Sequence, residues 1–387
     1  MNAFLWLLCL NNCQNTEDVL TAESSDLAIF ETQAKIDGYL NIDLQNLPVY
    51  SSISLPAHYD VRALALDNSP GSNRLSDLGV TLGRVLFYDR QLSVNDSVAC
   101  ASCHTPATGF SDSNTLSNGF SGGLTGSHSM RLANARYFRA GTMFWNKRAS
   151  TLEEQVTMPI KDPVEMGFDE ANGGFNALIQ KMNASPYYPA LFSLVFGDSN
   201  ISEAQVQKSL AQFVRSMVSY RSRFDSGYAN AYRASLPDRG LSGDFNNFTV
   251  QENLGKTLFL NPRDRGGAGC AACHLPPTFA LHERSRSNGL DAGESTAFKS
   301  PSLKNVAVTG PYMHDGRFDT LEEVVEHYNS GIKEGPALDN QLRQASGVQK
   351  LGLNETEKTA LVAFMKTLTD EEFMIEAKFH TPFKSNP

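Results

Sequence analysis

The segment Cys100-Ala101-Ser102-Cys103-His104 and its second copy, Cys270-Ala271-Ala272-Cys273-His274, determine the fold of this chain. Both have the pattern Cys-x-x-Cys-His, by which c-type haem is attached to protein. Two thiols at this spacing can form thioethers with the vinyl groups of a haem, and the adjacent histidine then lies beneath the iron as its axial ligand. Structural zinc is the alternative, since two Cys-x-x-Cys pairs supply four thiolates, but it would leave both histidines without a role. The motifs therefore predict two covalently bound haem c groups.

The two motifs are part of an internal repeat. Leu82-Gly83-Arg84-Val85-Leu86-Phe87 recurs 172 residues later as Leu254-Gly255-Lys256-Thr257-Leu258-Phe259, and the haem motifs recur at an offset of 170. Further blocks recur at nearly the same offset: Leu132-Ala133-Asn134 with Leu303-Lys304-Asn305, and Thr151-Leu152-Glu153-Glu154 with Thr320-Leu321-Glu322-Glu323. Apolar residues three and four positions apart in the opening blocks indicate helices. The repeat predicts an all-α protein of two tandem cytochrome c-like domains, each with one haem.

The repeat divides the chain into four segments. Residues 24–70 form an N-terminal extension that the sequence does not explain, residues 71–240 form the first cytochrome c-like domain, and residues 241–387 form the second. Residues 1–23 hold a short apolar run followed by polar residues and are predicted to be an export signal or a lipoprotein leader, although no Lys or Arg precedes the run. Because haem c is normally attached outside the cytoplasm, we expect a periplasmic or otherwise exported protein.

Composition narrows the class of protein further. The 387 residues include 33 Lys and Arg against 42 Asp and Glu, a formal net charge of -9. This balance argues against nucleic-acid binding, which needs a basic face, and it leaves a basic protein partner open. A membrane-spanning helix needs roughly twenty consecutive apolar residues, and the sequence after the leader contains no such run. Membrane attachment would instead require a lipid on Cys9 or Cys13, although neither follows the small residue that usually precedes such a cysteine.

The two copies differ at one position that matters for iron. Thr320-x-x-Glu323 is a capping box, so a helix starts at Leu321 and its inward apolar stripe includes Val325 and Tyr328. In the first copy, at an offset of 169, Pro159 stands at the position of Tyr328. A phenolate oxygen can ligate iron, whereas proline cannot. The repeat therefore predicts one haem closed by a tyrosine and one with an open face.

The open haem is the predicted centre of reaction. We expect the second haem to have His274 and Tyr328 as axial ligands and the first to have only His104 from the protein. Glu165 follows six residues after the proline of the first copy, and Gln155 precedes that proline by one helical turn. A carboxylate over an open haem face is suited to moving a proton between the two oxygens of a peroxide. The alternative is that Glu165 is a solvated loop acid.

At this point the chain resembles the bacterial di-haem cytochrome c peroxidase family, including its MauG-type branch, over about residues 74–370. The segments that carry the resemblance are Phe144-Trp145, Leu152-Glu153-Glu154-Gln155, Pro163-Val164-Glu165-Met166-Gly167, Pro311-Tyr312-Met313-His314-Asp315-Gly316 and Thr320-Leu321-Glu322-Glu323. The resemblance implies that Trp145 is an electron relay between the haems, that Glu165 is the distal acid and base, and that Gln155 lines the same pocket. The alternative for Trp145 is an ordinary core aromatic.

The resemblance also implies a calcium ion between the domains. In the family this ion is held by one asparagine side chain and two backbone carbonyls. Thr309 and Pro311 match the carbonyl positions, and Asn134 is the candidate for the third ligand.

The axial ligand of the second haem also follows from the resemblance, which places it fourteen residues after His314, at Tyr328. Most members have methionine there, and the MauG-type branch has tyrosine. Met313 and His327 are alternative ligands, although we expect His327, one residue off the apolar stripe, to face solvent. His128 lies near the histidine that caps the peroxidatic haem in many members, but it is equally explained as a loop histidine.

Three functions compete on these grounds. The first is an exported peroxidase that reduces hydrogen peroxide with electrons from a small c-type cytochrome or a cupredoxin. The second is a MauG-type oxidase that oxidises side chains of a partner protein. The third is a non-catalytic di-haem electron carrier, in which both irons would be closed. No nucleic acid is expected as a partner, and a homodimer is one of the oligomeric states left open.

Overall fold

A computed structural model describes residues 26–384. The predicted leader, with Cys9 and Cys13, lies outside the described residues. The described chain is rich in helix and has few strands, in agreement with a mostly α-helical fold. None of its helices is both long enough and apolar enough to cross a membrane.

The α-helices in chain order are α1 (26–36), α2 (Val61–Leu64), α3 (Asp77–Tyr88), α4 (Cys100–Cys103), α5 (Leu152–Gln155), α6 (Met158–Lys161), α7 (Gly174–Asn183), α8 (Tyr188–Phe196), α9 (Glu203–Ser216), α10 (Arg223–Ala231), α11 (Val250–Leu260), α12 (Leu321–Glu326), α13 (Glu355–Lys366) and α14 (Glu371–Ile375). Short 3₁₀ helices lie at Arg90–Leu92, Pro106–Thr108, Ala135–Tyr137, Glu170–Asn172, Arg263–Arg265, Cys270–Ala272, Val306–Val308, Asn340–Leu342 and Ala377–Phe379.

Two short antiparallel strand pairs accompany the helices. Strand β1 (His274–Leu275) pairs with β2 (Ala280–Leu281), with His274 opposite Leu281. Strand β3 (Arg343–Gln344) pairs with β4 (Gly347–Val348). The two haem motifs therefore differ locally, because the first forms a turn of α-helix and the second forms a 3₁₀ turn that leads into a strand.

A crossed pair of helices forms the centre of each half. Helix α3 packs against α9, and α11 packs against α13. The opening helices begin at caps, since the Ser76 hydroxyl accepts from the Gly79 amide and Thr249 forms a capping box with Glu252. The crossings are close: a Cβ on Gly83 would overlap the carbonyl oxygen of Ser209, and one on Gly255 would overlap that of Ala360. The repeat thus preserves a glycine at each crossing.

The described chain has two large hydrophobic cores, and their membership departs from the predicted division at 240/241. Phe224 and Tyr228, on α10 and so within the predicted first domain, belong to the core of the C-terminal half. Phe373 and Phe379, near the C-terminus, belong to the core of the N-terminal half. Helix α10 and the C-terminal segment therefore each pack against the core of the other half. Local periodicity does not encode these long-range contacts.

The extension that the sequence did not explain is part of the N-terminal core. Its residues Ile36, Leu40 and Tyr50 are buried there with the α3–α9 pair. The Tyr50 hydroxyl donates to the Lys378 carbonyl at 2.7 Å, so the extension also contacts the C-terminal segment. Its role is to cover the first core and to hold the chain terminus against it.

We predict that Gly83→Ala and Gly255→Ala each destabilise the protein by about 1–3 kcal/mol, the usual cost of overpacking a close contact. The added methyl group can be accommodated only by moving one helix of the crossed pair. The measurement is the shift of the denaturant midpoint at constant haem content. Gly71→Ala is the matched control, since nothing lies within 4 Å of its added Cβ. Equal midpoints for Gly71→Ala and Gly83→Ala would contradict the close-packing account.

Candidate haem cavities and the wall between them

The C-terminal half contains a cavity of about 470 Å³ beside the second haem motif. Cys270, Cys273, His274 and Tyr328 line it, so the structure brings the predicted attachment and axial residues together. Further lining side chains are apolar: Phe259, Leu303, Val306, Leu321, Val325, Leu361 and Met365. Burial raises the pKa of the Cys270 thiol to about 12, and this thiol forms no disulfide. A large apolar cavity with two free thiols and a histidine on its wall fits a covalently attached haem.

Both motif histidines have the neutral imidazole that can bind iron. His104 Nδ1 lies 3.0 Å from the Phe110 carbonyl, which can only accept, so Nδ1 carries the proton and Nε2 is available to a metal. His274 is enclosed, and burial lowers its pKa to about 4, so it is neutral. Its Nδ1 is buried close to the Phe279 carbonyl without a well-aligned hydrogen bond. Neutral imidazole is the form that ligates iron.

Tyr328 lies on a π-helical turn, His327–Gly331, that continues α12. Such turns widen a helix locally and are frequent at functional sites. The Tyr328 side chain is half-buried, because one side of it faces the cavity. The phenol group is surrounded by protein, and this burial raises its pKa well above the ordinary value. Asn288 lines the same cavity and acts in the opposite direction, lowering the pKa of the phenol.

The alternative ligands of the second haem also surround Asn288. Met313 lines the cavity, and its sulfur accepts from Asn288 Nδ2 at 3.3 Å. His327 is buried, and its Nε2 lies 3.1 Å from the Asn288 carbonyl. The expectation that His327 faces solvent was therefore wrong, because the loop that carries Asn288 folds over this side of the helix. Sequence reasoning gave no role to Asn288, whose distant position in the chain offers no local signal.

The N-terminal half contains a second cavity, of about 310 Å³, beside His104. Gln155, Pro159 and Glu165 line it. Burial, with a smaller contribution from the nearby Asp162, raises the pKa of the Glu165 carboxyl to about 7 against the opposing effect of Arg148. Glu165 thus lines the cavity with a proton affinity suited to neutral pH, rather than extending into solvent as a loop acid.

The loop that carries Glu165 is held by main-chain contacts. The Glu165 amide donates to Asp162 Oδ1 at 3.1 Å, and the Glu165 carbonyl accepts from the Phe120 amide at 3.0 Å. These bonds fix the backbone on both sides of the residue while the carboxyl remains at the cavity. Its position is therefore set by the loop rather than by a helix, which explains why periodicity alone could not place it.

His128 is a buried loop histidine in this structure. Its Nδ1 lies 3.1 Å from the Asn114 carbonyl and 3.2 Å from that of Thr115, and its Nε2 lies 3.3 Å from Ser111 Oγ. Both ring nitrogens are therefore engaged, so binding to iron would require these bonds to break. The cap role stays a prediction.

Trp145 lies between the two cavities and lines both of them. Its indole Nε1 donates to the His128 carbonyl at 2.8 Å, and its own carbonyl accepts from the Lys299 amide at 2.7 Å. At the offset of 171 that relates the Leu-x-Asn blocks, His128 and Lys299 occupy equivalent positions. Equivalent points of the two copies thus hold Trp145 from either side.

One of the predicted calcium ligands, Asn134, has other partners here. Asn134 has φ 60°, its Oδ1 accepts from the Ser219 amide at 2.8 Å, and its Nδ2 donates to the Ser219 carbonyl at 3.2 Å. Its counterpart Asn305 accepts from the Asp370 amide in the same way. Within the described residues no group of three or more His, Cys, Asp or Glu side chains could hold a metal. Asn134 therefore has a structural role that the repeat preserves, and calcium at Asn134, Thr309 and Pro311 stays a prediction.

Comparison with known proteins agrees with this architecture. The sequence profile described as di-haem cytochrome c peroxidase matches residues 77–233 and 249–381, most of the chain. The chain therefore belongs to the di-haem cytochrome c peroxidase family, whose members are oxidoreductases, and the family implies two haem c groups.

Relatives within the family have two kinds of names. The chain is 34% identical to the methylamine utilization protein MauG of Methylorubrum extorquens over 318 residues, which cover 78% of this chain and 81% of that protein. It is 30% identical to cytochrome c551 peroxidase of Nitrosomonas europaea over 310 residues, covering 75% and 80%.

Solved structures show the same fold. A MauG-like protein associated with microbial copper homeostasis aligns with a TM-score of 0.66 and 29% identity over 87% of this chain and 98% of that one. The di-haem peroxidase BthA of Burkholderia thailandensis aligns with a TM-score of 0.60 and 21% identity over 80% and 91%.

Proposed function

We propose that this chain is an exported di-haem peroxidase that reduces hydrogen peroxide in the N-terminal cavity. One observation carries the proposal: Glu165, a carboxyl whose pKa is raised to about 7, lines the cavity beside His104. Pro159 occupies the position equivalent to Tyr328, so the repeat supplies no phenol to close this site. A carrier with two closed irons would have no use for a proton-transferring carboxyl here.

The chain's own groups perform the proton transfer. When bound, haem supplies an iron that takes up peroxide and holds oxidising equivalents. The Glu165 carboxylate accepts the proton from one peroxide oxygen and returns it to the other, which then leaves as water. The complete reaction consumes one peroxide, two electrons and two protons and yields two water molecules. Trp145, which lines both cavities, lies on the direct path for electrons between the halves.

We predict that Glu165→Gln lowers the rate of peroxide reduction about 10²–10⁴-fold, the usual contribution of a general acid and base. In the wild type the rate should rise with pH and level off above about 7, because the carboxyl must be ionised to accept a proton. Stopped-flow absorbance over a pH series measures both effects. Glu170→Gln, at an exposed position five residues on, is the control and should behave as wild type. An unchanged rate for Glu165→Gln would exclude this carboxyl as the proton carrier.

We also propose that Tyr328 is the axial ligand opposite His274, because its enclosed phenol lines the same cavity. Tyr328→Met should replace the low-spin EPR signal of this haem with one of different g values and raise its reduction potential. Tyr312→Phe is the matched control, since Tyr312 lines the cavity but its hydroxyl donates to the Val306 carbonyl at 3.0 Å. If both variants keep the wild-type signal, Tyr328 is not a ligand.

The second candidate function is oxidation of side chains in a partner protein. It is favoured by the 34% identity with a methylamine utilization protein MauG, which exceeds the identity with the peroxidase relative. In that case the electrons come from residues of the partner by long-range transfer, and a small soluble donor is not required.

The two functions differ in how fast a small donor is oxidised. We predict that reduced small c-type cytochrome or cupredoxin is oxidised rapidly and repeatedly by the protein with peroxide. The measurement is steady-state donor oxidation, with the Glu165→Gln protein as the blank. Slow oxidation of every small donor, with the peroxide-treated state persisting for minutes, would favour the partner-protein oxidase instead.

A further inference from the structure

The two cavities are separated by a set of residues that line both of them, which we call the shared wall. The shared wall consists of Arg131, Trp145, Leu281, Lys299, Ser300 and Pro301. Two of these side chains are cations and none is an acid. The wall therefore presents positive charge to both cavities at once.

Lys299 is a buried cation without a carboxylate partner in the described chain. Lys299 is only 3% exposed, and its ammonium group lies 3.4 Å from Met143 Sδ. It lies 4.8 Å from the centre of the Phe138 ring, which offers only a weak cation–π contact. Burial, together with the nearby Lys147, lowers its pKa to about 8.

Arg131 is in the same situation. Its residue is 9% exposed, and its guanidinium donates to the Ser302 carbonyl at 2.5 Å and to Thr309 Oγ1 at 3.3 Å. Both partners are neutral, and burial lowers the pKa of Arg131 to about 10. An unpaired buried charge is strongly unfavourable, so the shared wall is incomplete unless an anion enters from a cavity.

Elsewhere the fold does compensate its buried cations. Lys304 forms an ion pair with Asp225 at 2.5 Å, and Arg215 Nη2 contacts Glu153 Oε2 at 2.9 Å. Lys256 is fully buried and, like Arg131, has only neutral partners, the carbonyls of Leu241 and Gly243, but it lines neither cavity. Lys299 and Arg131 differ because their charged groups adjoin the two cavities in which haems would be held.

We propose that Lys299 and Arg131 bind the propionate carboxylates of the two haems, and that Lys299, from its position on the shared wall, raises the reduction potentials of both. The inference rests on the two haems of the proposed function. Haem propionates are the anions that a di-haem protein brings to these cavities. A nearby cation favours the state with one more electron, and a low local dielectric strengthens the effect.

The test compares Lys299→Met with wild-type holoprotein in a spectroelectrochemical redox titration that resolves the two haems. Methionine keeps an unbranched apolar stem and removes the charge. We expect both potentials to shift to more negative values and the propionate bending bands in resonance Raman spectra to move. Lys299→Arg should keep both potentials close to wild type because it retains the charge.

Lys256→Met is the matched control, since it removes another fully buried lysine that lines neither cavity. It should leave both potentials unchanged even if it destabilises the fold; should Lys299→Met fail to retain haem, Lys299→Gln serves in its place. If Lys299→Met, or Lys299→Gln in its place, leaves the potentials and Raman bands unchanged, the inference is overturned. A shift of the potential of only one haem also overturns it. A dependence of the wild-type potentials on chloride would also overturn it, by identifying a free anion at the wall.

Peroxide consumption by the same wild-type sample separates the two levels of the argument. If the wild type consumes peroxide and the Lys299 variants keep its potentials, only the anion role of the shared wall fails. If the wild type binds two haems but does not consume peroxide, the proposed function fails and the potentials still test the wall.

Discussion

Trp145 is held from both sides of the wall that separates the two cavities. Its ring donates to the His128 carbonyl, and its own carbonyl accepts from the Lys299 amide. His128 and Lys299 occupy equivalent positions in the two copies of the repeat. Trp145 therefore forms a hydrogen bond with the same position of each copy. A shift of one half against the other would break one of these bonds. This pair of hydrogen bonds fixes the position of Trp145 in the wall between the cavities.

The two copies of the repeat share the same pair of packed helices and differ in the side chains that line their cavities. Gly83 and Gly255 permit the same close helix crossing in each half, and both motif histidines line a cavity with a lowered pKa. The difference lies elsewhere on the cavity walls, where one copy has Tyr328 on a widened helical turn and the other has Pro159. Divergence at one position thus gives the two copies of one fold cavities with different walls, a difference on which the proposed function rests.

What the sequence did not show comes from contacts between distant parts of the chain. His327 is buried because a loop centred on Asn288 covers its side of the helix. The side-chain amide of Asn134 forms hydrogen bonds with the backbone of Ser219, which lies 85 residues further along the chain. Phe373 packs with the first core rather than the second. Local periodicity and motif spacing carry no record of such contacts, because each depends on a partner far away in sequence.

The sequence by itself determined the two haem attachments, the repeat, the mostly helical fold and the candidate pair Glu165 and Tyr328. The attachments, the repeat and Tyr328 follow from covalent spacing and helical periodicity, which are local properties of the chain, whereas Glu165 was a candidate from its distance to Pro159 and from the family resemblance. Only the tertiary structure decided that Glu165 is buried enough to hold its proton near neutral pH. It also decided that Trp145 separates the cavities and that Lys299 and Arg131 are enclosed beside it without acids. Burial and charge balance are sums over neighbours from both halves, and they exist only once the two copies have packed together.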